Sequence, residues 1–240
     1  MLMKKLKDKT ALITGAGRGI GKAAAILFAQ NGTNLVIASR TASELEETAQ
    51  QCAQYDVEIL SHPIDLSDLQ QIDKLFDEIK SRFKLLDILI NNAAMFDSGL
   101  IADYPIERFQ AVLQVNLIAP YYLAQKSSAM MDSQKGGAIV NISSYSGCIG
   151  VEKFPGFGAY NISKYGLWGL TEILALELAD RNIRVNQVSP SGVATRMFEQ
   201  AVPPGVAADL LPEDVAKKIL FLASADSVPM TGQNIMMAAP

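Results

Sequence analysis

Residues that hold metals or form disulfides are scarce in this chain. Its 240 residues include only two cysteines and one histidine. Cys52 and Cys148 lie far apart in the sequence and lack metal-ligand spacing, so we expect a reduced protein with no disulfide framework and no metal site. Because His62 is the sole histidine, a catalytic triad or a zinc site built on it is disfavoured.

Long apolar runs and blocks of positive charge are also missing. No uninterrupted apolar run approaches the roughly 20 residues of a membrane span. The short lysine cluster at Lys4, Lys5, Lys7 and Lys9 lacks the apolar stretch of a signal peptide. The formal charge is -4, from 21 basic and 25 acidic residues, which argues against nucleic acid as a partner. We therefore expect a cytoplasmic protein that binds neither membranes nor nucleic acids.

No linker, repeat or change in composition divides the chain, which predicts a single domain over residues 1–240. Apolar runs predict strands at 10–14, 34–39, 57–65, 85–92, 137–144, 183–189 and 233–237. Helical spacing predicts helices from residue 20 onward and at 40–53, 66–83, 105–131, 157–181 and 212–224, with Ser67 as an N-cap. This alternation predicts an α/β fold, a Rossmann-like doubly wound sheet of about seven mainly parallel strands with helices on both faces. Ligands of such sheets bind beyond the carboxyl ends of the strands.

A glycine-rich turn follows the first predicted strand and leads directly into a helical pattern. It reads Thr14-Gly15-Ala16-Gly17-Arg18-Gly19-Ile20-Gly21. Glycines let the backbone turn tightly and approach a pyrophosphate, while the helix N-terminus offers free N–H groups and a positive dipole end. A turn that merely needs positive φ angles has the same composition. Its position between strand and helix favours a dinucleotide site.

Tyr160 and Lys164 lie four residues apart in the predicted helix 157–181, so both side chains share one face. A tyrosine with a free pKa near ~10 is a poor acid or base at neutral pH, and moving it to ~7 requires roughly 4 kcal/mol. One ammonium at ~4 Å supplies about that much at an effective dielectric of ~20. The spacing therefore predicts that Lys164 lowers the pKa of Tyr160 for proton transfer. Tyr122 and Lys126 have the same spacing, so this motif alone does not choose between the pairs.

Several motifs in order resemble the short-chain dehydrogenase/reductase superfamily, from the first strand almost to the C-terminus. The glycine turn is similar to its cofactor turn, and Asn91-Asn92-Ala93-Ala94 is similar to its strand-ending Asn-Asn-Ala-Gly. The resemblance implies a catalytic tetrad of Asn116, Ser144, Tyr160 and Lys164. It favours Tyr160 over Tyr122, because no serine-bearing strand end precedes Tyr122.

The resemblance implies hydride transfer between a nicotinamide cofactor and a carbonyl or secondary alcohol. Ser144 would hydrogen-bond the carbonyl oxygen, Tyr160 would exchange its proton, Lys164 would also hold the nicotinamide ribose, and Asn116 would position a water for a proton relay. The cofactor-binding residues that it implies are Gly15, Arg18, Gly19, Ile20, Gly21, Ser39, Arg40, Asp65, Leu66, Asn92, Ala93, Tyr160, Lys164, Pro190, Val193 and Thr195. Among them Asp65 would meet the adenine and Val193 the nicotinamide amide.

The end of the second predicted strand favours NADP(H) over NAD(H). NAD-preferring relatives place an acidic residue there, whereas this chain has Ser39 and Arg40 and no acidic residue from Leu35 to Ser43. A planar guanidinium suits a 2′-phosphate, and Arg18 can approach from the glycine turn. The alternative is that Arg40 points to solvent. We expect an NADP(H)-preferring carbonyl reductase.

Departures from the family pattern leave the substrate undefined. Ala94 replaces the last glycine of its motif, and Ser191 stands where glycine usually follows Pro190. The loop 144–160 is a few residues longer than usual, and the lid 195–211 is short. The runner-up activity is reduction of a 3-oxoacyl thioester on acyl carrier protein. A nucleotide-sensing protein without catalysis is a third reading, although it would be expected to lose the tyrosine or lysine retained here.

The predicted helix 157–181 has apolar residues around much of its circumference. They are Leu167, Trp168, Leu170, Ile173 and Leu174. A helix that is apolar on more than one face needs a second partner. Together with the resemblance, this predicts a homotetramer or homodimer, the alternative being a helix buried within one subunit.

Overall fold

In the computed structural model, which describes residues 4–239, the chain forms one sheet of seven strands in the order β3-β2-β1-β4-β5-β6-β7. Every pair of neighbouring strands is parallel. The strands are β1 (Thr10–Thr14), β2 (Asn34–Ser39), β3 (Ile59–Pro63), β4 (Ile88–Asn91), β5 (Gly137–Ile142), β6 (Ile183–Pro190) and β7 (Asn234–Met237). The predicted doubly wound α/β sheet is confirmed.

Eight α-helices connect and cover the strands within residues 4–239. They are α1 (Gly19–Gln30), α2 (Ala42–Cys52), α3 (Leu69–Phe83), α4 (Ile106–Leu113), α5 (Ala119–Met130), α6 (Gly158–Glu177), α7 (Arg196–Ala201) and α8 (Pro212–Ala223). A π-helical turn, Gln114–Ile118, joins α4 to α5. The helical region predicted at 105–131 is therefore confirmed, with a π-helical turn inside it.

The core has one layer on each face of the sheet, because side chains alternate along every strand. In β1, Ile13 packs into the cluster under α1, α2 and α8, whereas Leu12 packs into the cluster under α3, α5 and α6. Fully burying one such side chain contributes about 1.5–3 kcal/mol. Because helices cover both faces of the sheet, most strand residues are buried, and the strand sequences are nearly continuous apolar runs.

The start of α3 differs from the prediction that Ser67 is its N-cap. Asp68 is the N-cap, and its carboxylate accepts a hydrogen bond from the Gln70 N–H at 2.9 Å. Ser67 is engaged elsewhere, since its N–H and hydroxyl both donate to Asp65 Oδ1, at 2.9 and 2.8 Å. Serine and aspartate both make good N-caps. Asp68 is the N-cap here because Ser67 is already hydrogen-bonded to Asp65.

Several elements also end earlier than predicted. The strands predicted at 57–65 and 85–92 are shorter in the structure, where they are β3 and β4. The remaining residues of both predicted ranges lie outside the sheet. The helix expected to reach residue 181 ends at Glu177, and Asn182 adopts a left-handed conformation with a φ of 56° after a short 3-10 turn. Chain segments that leave the sheet at its carboxyl edge become available to line a site there.

The direction of winding reverses between β3 and β4, because β1 lies between β2 and β4. Such a reversal opens a crevice at the carboxyl ends of the two central strands. Within residues 4–239, no helix has the length and apolar character to cross a bilayer. In that same range, no group of three or more histidine, cysteine or acidic side chains is arranged to hold a metal ion.

Candidate active site

A cavity of about 1270 Å³ lies beyond the carboxyl ends of the strands. It exceeds the roughly 300–1,000 Å³ of a pocket for one small ligand, so it has room for a cofactor and a second molecule. The structure places every predicted site residue in its lining except Gly21 and Asn116.

The glycine turn takes its shape from contacts that only glycine allows. Gly15 and Gly19 have positive φ angles of 66° and 55°. A Cβ on Gly21 would lie 2.3 Å from the Gly15 oxygen, so Gly21 permits close packing behind the turn and does not face the cavity. Asn92 Nδ2 fixes the same turn from β4 by donating to the Thr14 and Gly15 carbonyl oxygens, at 2.8 and 3.2 Å.

The N-terminus of α1 opens into this turn. Its N-cap residue, Arg18, is extended and makes no side-chain capping bond within residues 4–239, and the first turn carries no acidic residue. The N–H groups and the positive end of the helix dipole are therefore available to an anion. This uncapped end and the glycine cradle fit the pyrophosphate of a dinucleotide.

The end of β2 carries polar groups beside the turn. Ser39 Oγ is buried and has no hydrogen-bond partner within residues 4–239. Arg40 is exposed and lines the cavity. Asp65, one strand further, has its pKa lowered mainly by the hydrogen bonds from Ser67 and to a lesser degree by the charge of Arg40. Asp65 is consequently an anion at neutral pH, next to the buried Leu66.

Glu44 is a site residue that the sequence reasoning missed. Its carboxylate accepts a hydrogen bond from Arg18 Nη1 at 3.1 Å, and it lines the cavity. No acidic residue occurs from 35 to 43, but the first turn of α2 brings this one back to the glycine turn. The two side chains are 52% and 31% exposed, so the pair contributes about 0–1 kcal/mol and can open at little cost.

Asn116 lies in the π-helical turn and is 1% exposed. Its Oδ1 accepts from the Met95 N–H at 2.7 Å, and its Nδ2 donates to the Met95 oxygen at 2.9 Å and to Ser163 Oγ at 3.0 Å. Ser163 in turn donates to the Tyr160 carbonyl oxygen at 2.7 Å. Asn116 thus ties the segment after β4 to the first turn of α6. Ser163 is a second residue that sequence reasoning missed, since its partners are distant along the chain.

Ser144, Tyr160 and Lys164 meet at the end of β5. Ser144 Oγ accepts a hydrogen bond from the Ser146 N–H at 3.1 Å, which leaves the hydroxyl proton free to be donated. Lys164 Nζ donates to the Ile142 carbonyl oxygen at 2.9 Å and lies 5.5 Å from the Tyr160 ring centroid. The loop after β5 packs directly on α6, because a Cβ on Gly147 would lie 2.7 Å from the Lys164 backbone.

The pKa values of this pair contradict the expectation that Lys164 lowers the pKa of Tyr160. Burial raises the pKa of Tyr160 to about 12, and the Ser144 side chain opposes this in part. Burial also lowers the pKa of Lys164 to about 7. Desolvation disfavours the charged form of either group, and it is the largest cause of both shifts. At neutral pH Tyr160 is a neutral phenol that holds its proton.

The second tyrosine-lysine pair has a different environment. Tyr122 donates from its hydroxyl to Asp73 Oδ1 at 2.6 Å, and Lys126 Nζ pairs with the same oxygen at 2.6 Å. This contact links α5 to α3, and neither side chain lines the cavity. The pair is therefore structural.

The segment after β6 closes the cavity opposite α6. Ser191 donates its N–H to the Met237 oxygen at 2.8 Å, and its buried Oγ is unpartnered within residues 4–239. Val193 is 5% exposed, and Thr195 caps α7 by accepting from the Phe198 N–H at 3.3 Å. This segment and the short α7 form the lid predicted at 195–211.

Comparison with known proteins finds a matching family model and similar proteins that cover nearly the whole chain. The model of the short chain dehydrogenase family matches residues 9–204. The 3-oxoacyl-(acyl-carrier-protein) reductase of Thermotoga maritima is 35% identical over 241 residues, covering 96% of this chain and 96% of that protein. The trans-4-hydroxycyclohexanecarboxylate dehydrogenase of Sinomonas cyclohexanicum is 34% identical over 245 residues, covering 96% of this chain and 92% of that protein.

A solved structure shares the fold over nearly the whole chain. It is a 7α-hydroxysteroid dehydrogenase complexed with NADH and 7-oxo glycochenodeoxycholic acid, with a TM-score of 0.92 and 27% identity, covering 98% of this chain and 95% of that chain. Motif order, fold and similarity along the full length therefore agree. The chain belongs to the short chain dehydrogenase family, whose members are oxidoreductases that act on small molecules with a nicotinamide cofactor.

Proposed function

We propose that this protein is an NADP(H)-dependent reductase of carbonyl compounds and dehydrogenase of secondary alcohols. The observation that carries the proposal is that one cavity is lined by the glycine turn, by Ser144 and by Tyr160 with Lys164. The cofactor, when bound, supplies or accepts the hydride. The protein must bind both molecules, hold the carbonyl and move one proton.

In the direction of reduction, the carbonyl carbon accepts a hydride and its oxygen accepts the Tyr160 proton, giving a secondary alcohol and the oxidised cofactor. Tyr160 is protonated at neutral pH, so it carries the proton that this step requires. Ser144 has a free hydroxyl proton with which to hydrogen-bond the developing alkoxide. Lys164 Nζ, 5.5 Å from the Tyr160 ring centroid, would return a proton to Tyr160 and would hold the nicotinamide ribose.

The predicted role of Asn116 is positioning of a water for the proton relay. Its Nδ2 hydrogens are both used by protein groups, so a water would have to bond to the remaining lone pair of Oδ1. Within this proposal, Asn116 also holds the first turn of α6 through Ser163. The water would serve the proton relay, and the contact through Ser163 fixes the helical turn that carries Tyr160.

NADP(H) is proposed as the preferred form of the cofactor. Arg40 is exposed directly after β2 and forms no salt bridge within residues 4–239, and Arg18 lines the same cavity. Both can donate paired, charge-assisted hydrogen bonds to a 2′-phosphate. Glu44 opposes this preference, but its exposed pair with Arg18 is weak enough for a phosphate to displace.

The activity is tested by measuring NADPH-dependent reduction of a panel of carbonyl compounds. The Tyr160→Phe variant should lose at least ~10²-fold in kcat, since it lacks the proton donor, and should keep its NADPH affinity. The Tyr122→Phe variant is the matched control and should keep its activity. Equal residual activity in the two variants would place the active site elsewhere.

The cofactor preference is tested by kcat/KM for NADPH and NADH. The Arg40→Ala variant should lose at least tenfold with NADPH, which corresponds to about 1.4 kcal/mol, and should change little with NADH. Arg82→Ala removes a surface arginine of α3 that pairs with Glu58 and serves as the control. An equal loss of kcat/KM with both cofactors would show that Arg40 supports the fold and does not bind the 2′-phosphate.

A second candidate is reduction of a 3-oxoacyl thioester, which is favoured by the 35% identity to the acyl-carrier-protein reductase. The 34% identical relative is named for a secondary alcohol on a cyclohexane ring, which favours the more general reading. Parallel assays with an acetoacetyl thioester and with simple ketones separate these two. A purely nucleotide-sensing role has less support, since both Tyr160 and Lys164 are retained.

A further inference from the structure

One wall of the cavity is built from aromatic rings next to Tyr160. The Phe96 ring packs edge-on against the Phe157 and Tyr160 rings, at centroid distances of 4.8 and 5.4 Å. Phe154 lies 5.8 Å from Phe157 and is 54% exposed, although it lines the cavity. When an apolar ligand covers an aromatic ring that is exposed inside a cavity, apolar surface is removed from water and binding is favoured.

The lid faces the cavity with apolar residues as well. They are Met197, Phe198, Val202 and Val206. Two charged residues that also line the cavity, Glu152 and Arg196, are exposed and can keep their charges in water. The rings and the lid residues thus present an apolar surface to whatever approaches Tyr160.

The loop that carries Phe154 is held to α6 by several polar contacts. Lys153 Nζ donates to the Tyr145 and Cys148 carbonyl oxygens, at 3.1 and 2.7 Å. The Tyr165 hydroxyl of α6 donates to the same Cys148 oxygen at 3.0 Å, and the lysine head group lies 5.2 Å from the Tyr165 ring centroid. The long loop is therefore tied to α6 immediately before its aromatic end.

The segment that carries Phe96 is fixed in a similar way. Asp97 accepts hydrogen bonds from the Tyr104 hydroxyl at 2.7 Å and from Arg108 Nε at 2.6 Å. The Gly99 N–H donates to the Gly156 oxygen at 2.9 Å, which joins this segment to the loop. Both aromatic segments belong to one cross-linked wall.

From this wall we infer that the site selects a rigid ring ketone, or the corresponding ring alcohol, over an open-chain compound of equal carbon number. A ring has almost no internal rotation to lose on binding, whereas an open chain must be immobilised. That advantage is realised only against a rigid wall. The amide groups of a carrier-protein thioester arm would also lack partners at these rings. The inference rests on the proposed hydride transfer and names its substrate class.

The test compares 2-decalone, a fused-ring ketone, with 2-decanone, its open-chain counterpart. With NADPH, the wild-type kcat/KM should be at least tenfold higher for 2-decalone. Phe154→Ala should lower kcat/KM for 2-decalone by about tenfold and leave 2-decanone almost unchanged, and Lys153→Met should reduce the preference by loosening the loop. Ile149→Ala, in the same loop but 81% exposed and outside the lining, is the control. Equal use of both ketones, or an equal loss for both in Phe154→Ala, overturns the inference.

A binding measurement separates failure of the inference from failure of the proposed function. Calorimetric titration of the Tyr160→Phe variant with both ketones, in the presence of NADPH, needs no turnover. Tighter binding of 2-decalone by at least tenfold supports the substrate class even if the wild type reduces neither ketone, in which case the proposed function fails alone. Equal affinities overturn the substrate class even if the wild type reduces both.

Discussion

Replacing Lys164 by methionine should stabilise the protein at neutral pH while abolishing its activity. The ordinary pKa of 10.5 falls to about 7 in the folded protein because the ammonium is buried. At ~1.4 kcal/mol for each pH unit, this interval corresponds to about 5 kcal/mol of stability lost at and below pH 7. The lost hydrogen bond from Lys164 Nζ to the Ile142 oxygen offsets about 2 kcal/mol. The net gain expected near pH 7 is about 3 kcal/mol.

The sign of the pH dependence follows from proton binding. Between pH 7 and 10.5 the unfolded chain holds a proton on Lys164 that the folded chain releases, so the stability of the wild type rises with pH in this window. Lys164→Met lacks that rise. Its advantage should shrink by ~1.4 kcal/mol for each pH unit, and the two stabilities should become equal near pH ~9.

Urea unfolding at pH 6.5, 7.5, 8.5 and 9.5, at one protein concentration, measures this difference. Lys126→Met is the matched control, because the hydrogen bond with Asp73 raises the pKa of Lys126 and outweighs the lowering effect of desolvation at this largely solvated side chain. It should show a small loss with little pH dependence over the same range. The reasoning is refuted if Lys164→Met is destabilised by a similar amount at all four pH values.

Two further predictions concern cofactor binding and assembly. Glu44→Gln frees Arg18 to contact the 2′-phosphate, so KM for NADPH should fall by ~2–5-fold, while KM for NADH should not change. Glu46→Gln should have no effect, and a parallel fall for both cofactors would contradict the prediction. Sedimentation at micromolar concentration should give a homodimer or homotetramer, because Ile162, Ile173 and Leu176 of α6 are 45%, 46% and 74% exposed. Ile173→Glu should weaken the assembly and Leu85→Glu, at an exposed site outside α6, should not, whereas a wild-type monomer would exclude the proposal.

The doubly wound parallel sheet was predictable from the sequence because its signals are local. Strands alternate with helices along the chain, and parallel winding brings successive strand ends to one edge. The glycine turn and the i, i+4 pair at Tyr160 are likewise contained within a few residues and line the cavity at that edge. The other lining residues, among them Ser144, were predictable through the resemblance to the family.

What the sequence could not reveal depends on contacts between distant segments. Asn116 forms hydrogen bonds with Met95 and Ser163 from the π-helical turn. The spacing of apolar residues in the sequence does not predict such a turn. Glu44 lies outside the window in which an acidic residue was sought, and the first turn of α2 returns it to the glycine turn. The aromatic wall at Phe96 joins segments that are separated by some sixty residues of chain.

The two tyrosine-lysine pairs show why spacing alone was insufficient. In both pairs the tyrosine and the lysine are one helical turn apart. Lys126 forms an ion pair with Asp73 at the surface, and its pKa is raised. Lys164 is buried, and its pKa is lowered. A buried amine against a buried phenol costs folding stability, and an apolar residue of similar shape would avoid that cost. A residue that weakens the fold and lies in a cavity is best explained by chemistry carried out there. This electrostatic difference supports the proposal that Tyr160 and Lys164, and not Tyr122 and Lys126, carry out proton transfer.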